Sequence, residues 1–126
     1  MAKPPKPTPA ELDLLRVLWR LGPSTVKQVH QEILKEREMA YAAVLRLLQI
    51  MHGKGLLLRD ERAKSHVYWP AQEQDALQTG LLGELIHKAF SGSGKALVLA
   101  ALRGGHVTRE ERKEIEAFLK EGGESQ

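Results

Sequence analysis

No cysteine occurs in the 126 residues. Disulfide staples, thiolate metal sites and cysteine nucleophiles are therefore excluded. No apolar run approaches the roughly 18–20 residues that a membrane span requires, so direct membrane insertion is not expected. The opening Met1-Ala2-Lys3-Pro4-Pro5-Lys6-Pro7 lacks the apolar core of a signal peptide, and a cytoplasmic protein is expected. Catalytic signatures are missing too: there is no serine nucleophile elbow, phosphate-binding loop or paired-carboxylate motif. Gly92-Ser93-Gly94-Lys95 has neither the full spacing of a phosphate loop nor a strand before it. His30, His52, His66, His87 and His106 show no metal-ligand spacing and no accompanying acid cluster. The expectation is no metal, no cofactor and no enzymatic activity.

What is present is one domain's worth of chain, or a small domain with an assembly arm. The net charge of +3 is unevenly placed. Residues 1–70 hold six Lys and six Arg against seven acids, a net +5. Residues 71–126 hold four Lys and three Arg against nine acids, a net −2. The first half suits an anionic polymer, and the second does not.

Residues 1–7 are Pro/Lys-rich and are expected to form a disordered tail. Thr8-Pro9-Ala10-Glu11 opens a first helix, with a capping box and Pro where its missing N–H is harmless. Leu14, Leu15, Leu18 and Leu21 follow at helical spacing, and Gly22-Pro23 ends the element. Ser24 or Thr25 caps a second helix carrying Val26, Val29, Ile33 and Leu34 on one face. A third helix runs over about 40–53, with Val44, Leu47, Leu48 and Met51 in register and Gly53 and Gly55 closing it. Residues 56–69 then read as a hairpin around the charged turn Asp60-Glu61-Arg62-Ala63-Lys64, with Pro70 as its end. Three more helices follow: 72–90, 95–103, and one opened by the capping box Thr108-Arg109-Glu110-Glu111. The chain after Glu121 is expected to fray.

Helix, helix, helix, hairpin is the order of a winged helix-turn-helix. The fold class expected is mainly α with a small β-hairpin: a winged-helix DNA-binding domain over 8–71, then a helical dimerisation domain over 72–121. In the third helix, a step of about 100° per residue puts Ala42, Arg46, Gln49 and Gly53 opposite the apolar face. That stripe suits base reading, with Arg pairing to guanine, Gln to adenine and Ala touching a thymine methyl. Leu45 and Ile50 flank it. Lys27 near the start of the second helix, and Arg59, Arg62, Lys64, Ser65 and His66 on or beside the wing, suit phosphate contact. Tyr41 and Lys54, at the two ends of the third helix, are placed in the same backbone-contacting set. The alternative is a winged-helix protein-interaction module without DNA binding, using Leu45 and Ile50.

Beyond Pro70 the apolar residues outnumber what one short segment can enclose. Leu97 to Leu102 is apolar nearly all round and should be covered. Burial between two copies is the simplest arrangement, so a homodimer is expected; the alternative is that these helices fold back onto their own winged domain. Leu77, Leu81, Leu85, Phe90, Leu97, Leu99, Leu102, Ile115, Phe118 and Leu119 are its candidate contacts. Two recognition helices would then meet a palindromic site on double-stranded DNA.

Particular residues also carry a resemblance. Pro9-Ala10-Glu11-Leu12, Leu18-Trp19, Gly22-Pro23-Ser24-Thr25-Val26, Ala40-Tyr41 leading to Val44, Leu47-Leu48, Gly55-Leu56, and Ser65 to Ala71 occur in order. Over roughly residues 8–120 they resemble the penicillinase-repressor family, the BlaI/MecI type, with copper-responsive repressors as relatives. The resemblance implies a homodimeric transcriptional repressor that binds a palindromic operator. It also implies an upstream membrane sensor peptidase that relieves repression by proteolysis. Three departures stand out. There is no Cys-rich tail for copper sensing. The family's Asn-Phe cleavage bond aligns with Ala100-Ala101. Its Thr-Thr pair and later basic residue in the third helix align with Ala42, Ala43 and Ile50, which places Ala43 beside Ala42 among the candidate base contacts.

Overall fold

The computed structural model describes residues 6–122. The tails expected at 1–7 and 122–126 therefore fall, apart from residues 6, 7 and 122, outside the described residues. The elements are α1 (Pro9–Leu21), β1 (Ser24–Thr25), α2 (Val26–Ile33), α3 (Tyr41–Gly53), β2 (Leu57–Asp60), β3 (Val67–Pro70), α4 (Gln74–Ala89), α5 (Gly94–Arg103) and α6 (Arg109–Lys120). No helix among the described residues is long and apolar enough to cross a membrane. The chain forms two compact units that divide between Gln78 and Thr79, within α4.

In the first unit, local chemistry sets the helix ends. Thr8 Oγ1 accepts the Glu11 N–H at 3.2 Å, while Glu11 Oε1 accepts the Thr8 N–H at 2.9 Å. The next break is Gly22, whose φ of +85° few other residues adopt. A second capping box opens α2, and its cap is Thr25 rather than Ser24. Gln28 N–H donates to Thr25 Oγ1 at 3.3 Å, and Thr25 N–H donates to Gln28 Oε1 at 2.9 Å. Ser24 is buried instead, donating its hydroxyl to Gly22 O at 2.8 Å. It belongs to a strand the sequence did not announce. The sheet has three strands in the order β1-β3-β2, with Ser24 opposite Tyr68 and Thr25 opposite Val67. Two residues are too few to show a period, so only the pairing reveals them.

The third helix has no side-chain cap, because Ala40 holds the N-cap position. Packing holds it instead: Val44, Leu48 and Met51 are fully buried. They meet Leu14, Leu15, Val17 and Leu18 of α1, Val29 and Ile33 of α2, and Leu56, Leu57 and Tyr68 from the wing side in one core. Gly53 is the last helical residue, and it is Gly55, at φ +85°, that turns the chain into β2. In the hairpin, Leu58 pairs with Trp69 and Arg59 with Tyr68. Period-two alternation puts Leu57 and Tyr68 inward, each 1% exposed. Trp19 Nε1 donates to Gln72 O at 3.0 Å, so the segment after the wing is fastened to α1.

The second unit is built differently. Ser93 caps α5 by accepting the Ala96 N–H at 3.0 Å, and Thr108 and Glu111 form the expected box at 3.0 and 2.9 Å. Yet from Thr79 to Gly122 no residue is buried. The apolar stretch of α5, expected to be enclosed, leaves Val98 at 48% and Leu99 at 39% exposure. Among the described residues, the second unit does not supply the cover.

Candidate nucleic-acid interface

Three elements of the first unit converge on one groove. The N-terminal turn of α2 contributes Thr25, Val26 and Lys27, α3 contributes Tyr41, Leu45 and Gln49, and the wing contributes Lys64, Ser65, His66 and Tyr68. No acidic residue lines it. The strand pair β1-β3 is what brings the start of α2 beside the wing, so the unforeseen two-residue strand builds one wall of the site. The N-terminal amides of α2 add a partial positive charge at the same edge.

The outward face of α3 carries Ala42, Ala43, Arg46, Gln49 and Gly53, all exposed. Leu45 is half-buried against the core, and Ile50 is exposed at 40%. The helix start is held from α2: His30 Nε2 donates to Met39 O at 2.9 Å, and its ring meets the Tyr41 ring edge-on at 5.6 Å. Sequence reading did not single out His30 or Thr25 for the site. Thr25 was visible as a cap, but its place in the groove depends on β3, some forty residues away in the chain.

The basic residues expected to meet phosphate fall into two groups. Among the described residues, the side chains of Lys27 and Lys64 have no ion-pair or hydrogen-bond partner and sit on the groove; that of Arg46, expected to meet bases rather than phosphate, has none either. Three others are already engaged. Arg62 grips Asp60, with Nη2 at 2.7 Å from Oδ2 and Nε at 3.0 Å from Oδ1. Those bonds hold the Asp60 carboxyl down at about 2 and raise the Arg62 guanidinium. Arg59 lies 5.8 Å from the Tyr68 ring centre and donates from Nε to Glu61 Oε2 at 2.8 Å. The Tyr68 hydroxyl and Glu61 push its guanidinium pKa up. Lys54 donates to Glu11 Oε2 at 2.7 Å.

Of the candidate dimer contacts, Leu77 packs against the core of the first unit. The remaining nine lie in the second unit: Leu81, Phe90, Leu97, Leu102 and Ile115 are half-buried, while Leu85, Leu99, Phe118 and Leu119 are exposed. Ala100 and Ala101 are half-buried within the helical turns of α5.

Comparison with known proteins agrees with this architecture. The family model described as "Penicillinase repressor" matches residues 7–121. A transcriptional regulator BlaI of Mycobacterium tuberculosis is 36% identical over 84 residues, covering 65% of this chain and 61% of that protein's length. A penicillinase repressor of Bacillus licheniformis is 22% identical over 121 residues, 96% of this chain and 94% of that protein. Among solved structures, the Bacillus licheniformis BlaI monomer in complex with the blaP half-operator superposes with a TM-score of 0.51. It has 24% identity, over 60% of this chain and 92% of that one. The DNA-binding domain of the repressor BlaI gives 0.52 at 24% identity, over 59% of this chain and 90% of that one. These likenesses establish a winged-helix fold for the first unit.

Proposed function

The chain belongs to the penicillinase repressor family, and from that membership we propose that it is a transcriptional repressor whose first unit binds double-stranded operator DNA. The observation that carries this reading is the acid-free groove where the start of α2, the side of α3 that carries Tyr41, Leu45 and Gln49, and the wing converge. A major groove about 12 Å wide admits one helix. With α3 inserted, Arg46, Gln49, Ala42 and Ala43 face base edges. Lys27, Tyr41, Lys64, Ser65 and His66 are placed for phosphate oxygens on either side. The Bacillus licheniformis BlaI described as bound to a half-operator has the same fold and supports this docking.

Two such units are proposed to act together. The second unit exposes Leu82, Leu85, Val98, Leu99, Phe118 and Leu119 with nothing buried, which suits pairing with a second copy. A two-fold dimer reads a palindromic operator. The inducing route by analogy with the family is a membrane sensor peptidase acting in the cytoplasm on the second unit. Ala100-Ala101 would then be cut only after α5 opens locally, since a protease takes extended chain.

A gel-shift titration with the DNA upstream of the protein's own gene tests the DNA reading. Specific binding is expected, falling steeply with salt. Arg46→Ala is expected to cost about 1–3 kcal/mol and relax base choice at one position. Binding indifferent to both salt and Arg46 would refute it. The exposed Ile50 supports a second reading, a protein-interaction module. It predicts no DNA affinity at low salt and a protein partner lost on Ile50→Asp.

A further inference from the structure

Glu11 is 2% exposed, and both of its side-chain bonds run to a helix end, to Thr8 and to Lys54. It stands at the third position of α1, where the helix dipole favours an anion. Oε1 takes the Thr8 N–H at 2.9 Å and Oε2 takes the Lys54 ammonium at 2.7 Å, across 43 residues of sequence. Lys54 is the C-cap of α3, where the dipole favours a cation. Burial raises the Glu11 pKa, but the bonds from Lys54 and Thr8 outweigh it, so the carboxyl is held below its ordinary range. The Glu11 carboxyl is therefore charged at neutral pH, and each partner stands at the helix end that suits it.

The geometry points to Lys54 as a positioning residue, which fixes the recognition helix on α1 through Glu11 and makes no phosphate contact. This rests on the DNA-binding reading above. The buried ridge Val44, Leu48 and Met51 sets the rotation of α3 about its axis. Apolar burial of this kind is itself non-directional. The two ends supply directional restraint. At the start it is the His30 bond to Met39 O, and at the finish it is the Lys54–Glu11 bond. A buried carboxylate also makes the restraint obligatory, since Lys54 cannot leave for a phosphate without stranding the Glu11 charge.

Salt dependence of operator binding separates positioning from contact. A lysine on a phosphate contributes about 0.9 to the slope of log K against log salt, and a positioning lysine contributes nothing. Lys27→Met and Lys64→Met are expected to flatten the slope by about 0.9 per chain. Lys54→Met is expected to lower affinity about tenfold, in the range by which residues of one network couple, with the slope unchanged. Lys54→Arg should restore affinity. Where Lys54→Met alone unfolds, Glu11→Leu with Lys54→Met removes both charges, and its slope is expected to equal that of the wild type. A slope flattened by about 0.9 in either variant, or unchanged affinity in folded Lys54→Met, would overturn the assignment. Absence of specific binding by the wild-type chain would instead overturn the DNA reading, and this inference with it.

Discussion

Asp60 offsets part of the wing's positive charge by pairing with Arg62, whose side chain stays 91% exposed. Asp60 ends β2, and in the bend that follows the Arg62 backbone N–H donates to Asp60 Oδ1 at 3.0 Å, which brings the two side chains together. Their bonds hold the carboxyl at about 2, against 3.8 for an ordinary aspartate. A depressed folded pKa means the clasp contributes fully above the ordinary value and is lost as pH falls through about 2. A carboxyl-carbon NMR titration of Asp60 should give a midpoint near 2. A midpoint at the ordinary value would show that the clasp does not form in solution. The same pair predicts a gain of function. Asp60→Asn keeps an oxygen for the Arg62 N–H but releases the guanidinium. Operator affinity should then rise several-fold, with the salt slope steeper by about 0.9 per chain. An unchanged slope would mean that Arg62 never approaches the backbone. Charge counting alone would have scored Arg59 and Arg62 as free cations. The acids that engage them, Glu61 and Asp60, stood two positions away in the sequence throughout.

At the scale of elements, the fold is held by a few buried side chains and by caps that set where each helix begins. Leu48 is fully buried in the one core that α1, α2, α3 and the wing share. Leu48→Ala should cost about 2–5 kcal/mol in a urea titration of the chain. Thr25→Ala removes the α2 cap and should cost about 1 kcal/mol. It should also weaken DNA binding beyond that, because the same turn forms the groove wall. A stability loss with no change in DNA affinity would detach the cap from the site. These elements were legible for a physical reason: caps and periodic apolar faces are local, so Thr8 with Glu11, Thr108 with Glu111, and Val44 to Met51 announce themselves. What was not legible depends on distant partners. Strand β1 exists only because β3 pairs with it, and Lys54 looks like any exposed lysine until Glu11 is found beneath it. The groove was readable as a set of residue types, but its membership was set by tertiary contacts that no local window contains.

At the scale of the whole molecule, the second unit is incomplete as a soluble surface. No residue from 79 to 122 is fully buried, and Phe118 and Leu119 stand 51% and 64% exposed. A short helical segment cannot form its own core from one copy. Two copies sharing these faces would remove several large side chains from water, each worth about 1.5–3 kcal/mol on full burial. The full chain is therefore expected to sediment at twice its 14.1 kDa mass. Phe118→Glu, which sets a charge in that shared surface, should give the single mass while the first unit keeps its fold. Binding then separates the parts. A half-operator should be bound equally well by Phe118→Glu and the parent chain. The full palindrome should lose about 10²–10⁴ in apparent affinity, because the second half-site no longer sees a tethered partner. Equal loss on half and full sites would instead place Phe118 in the folding of the DNA-binding unit. A parent chain that sediments at a single mass would leave the apolar faces to a different protein.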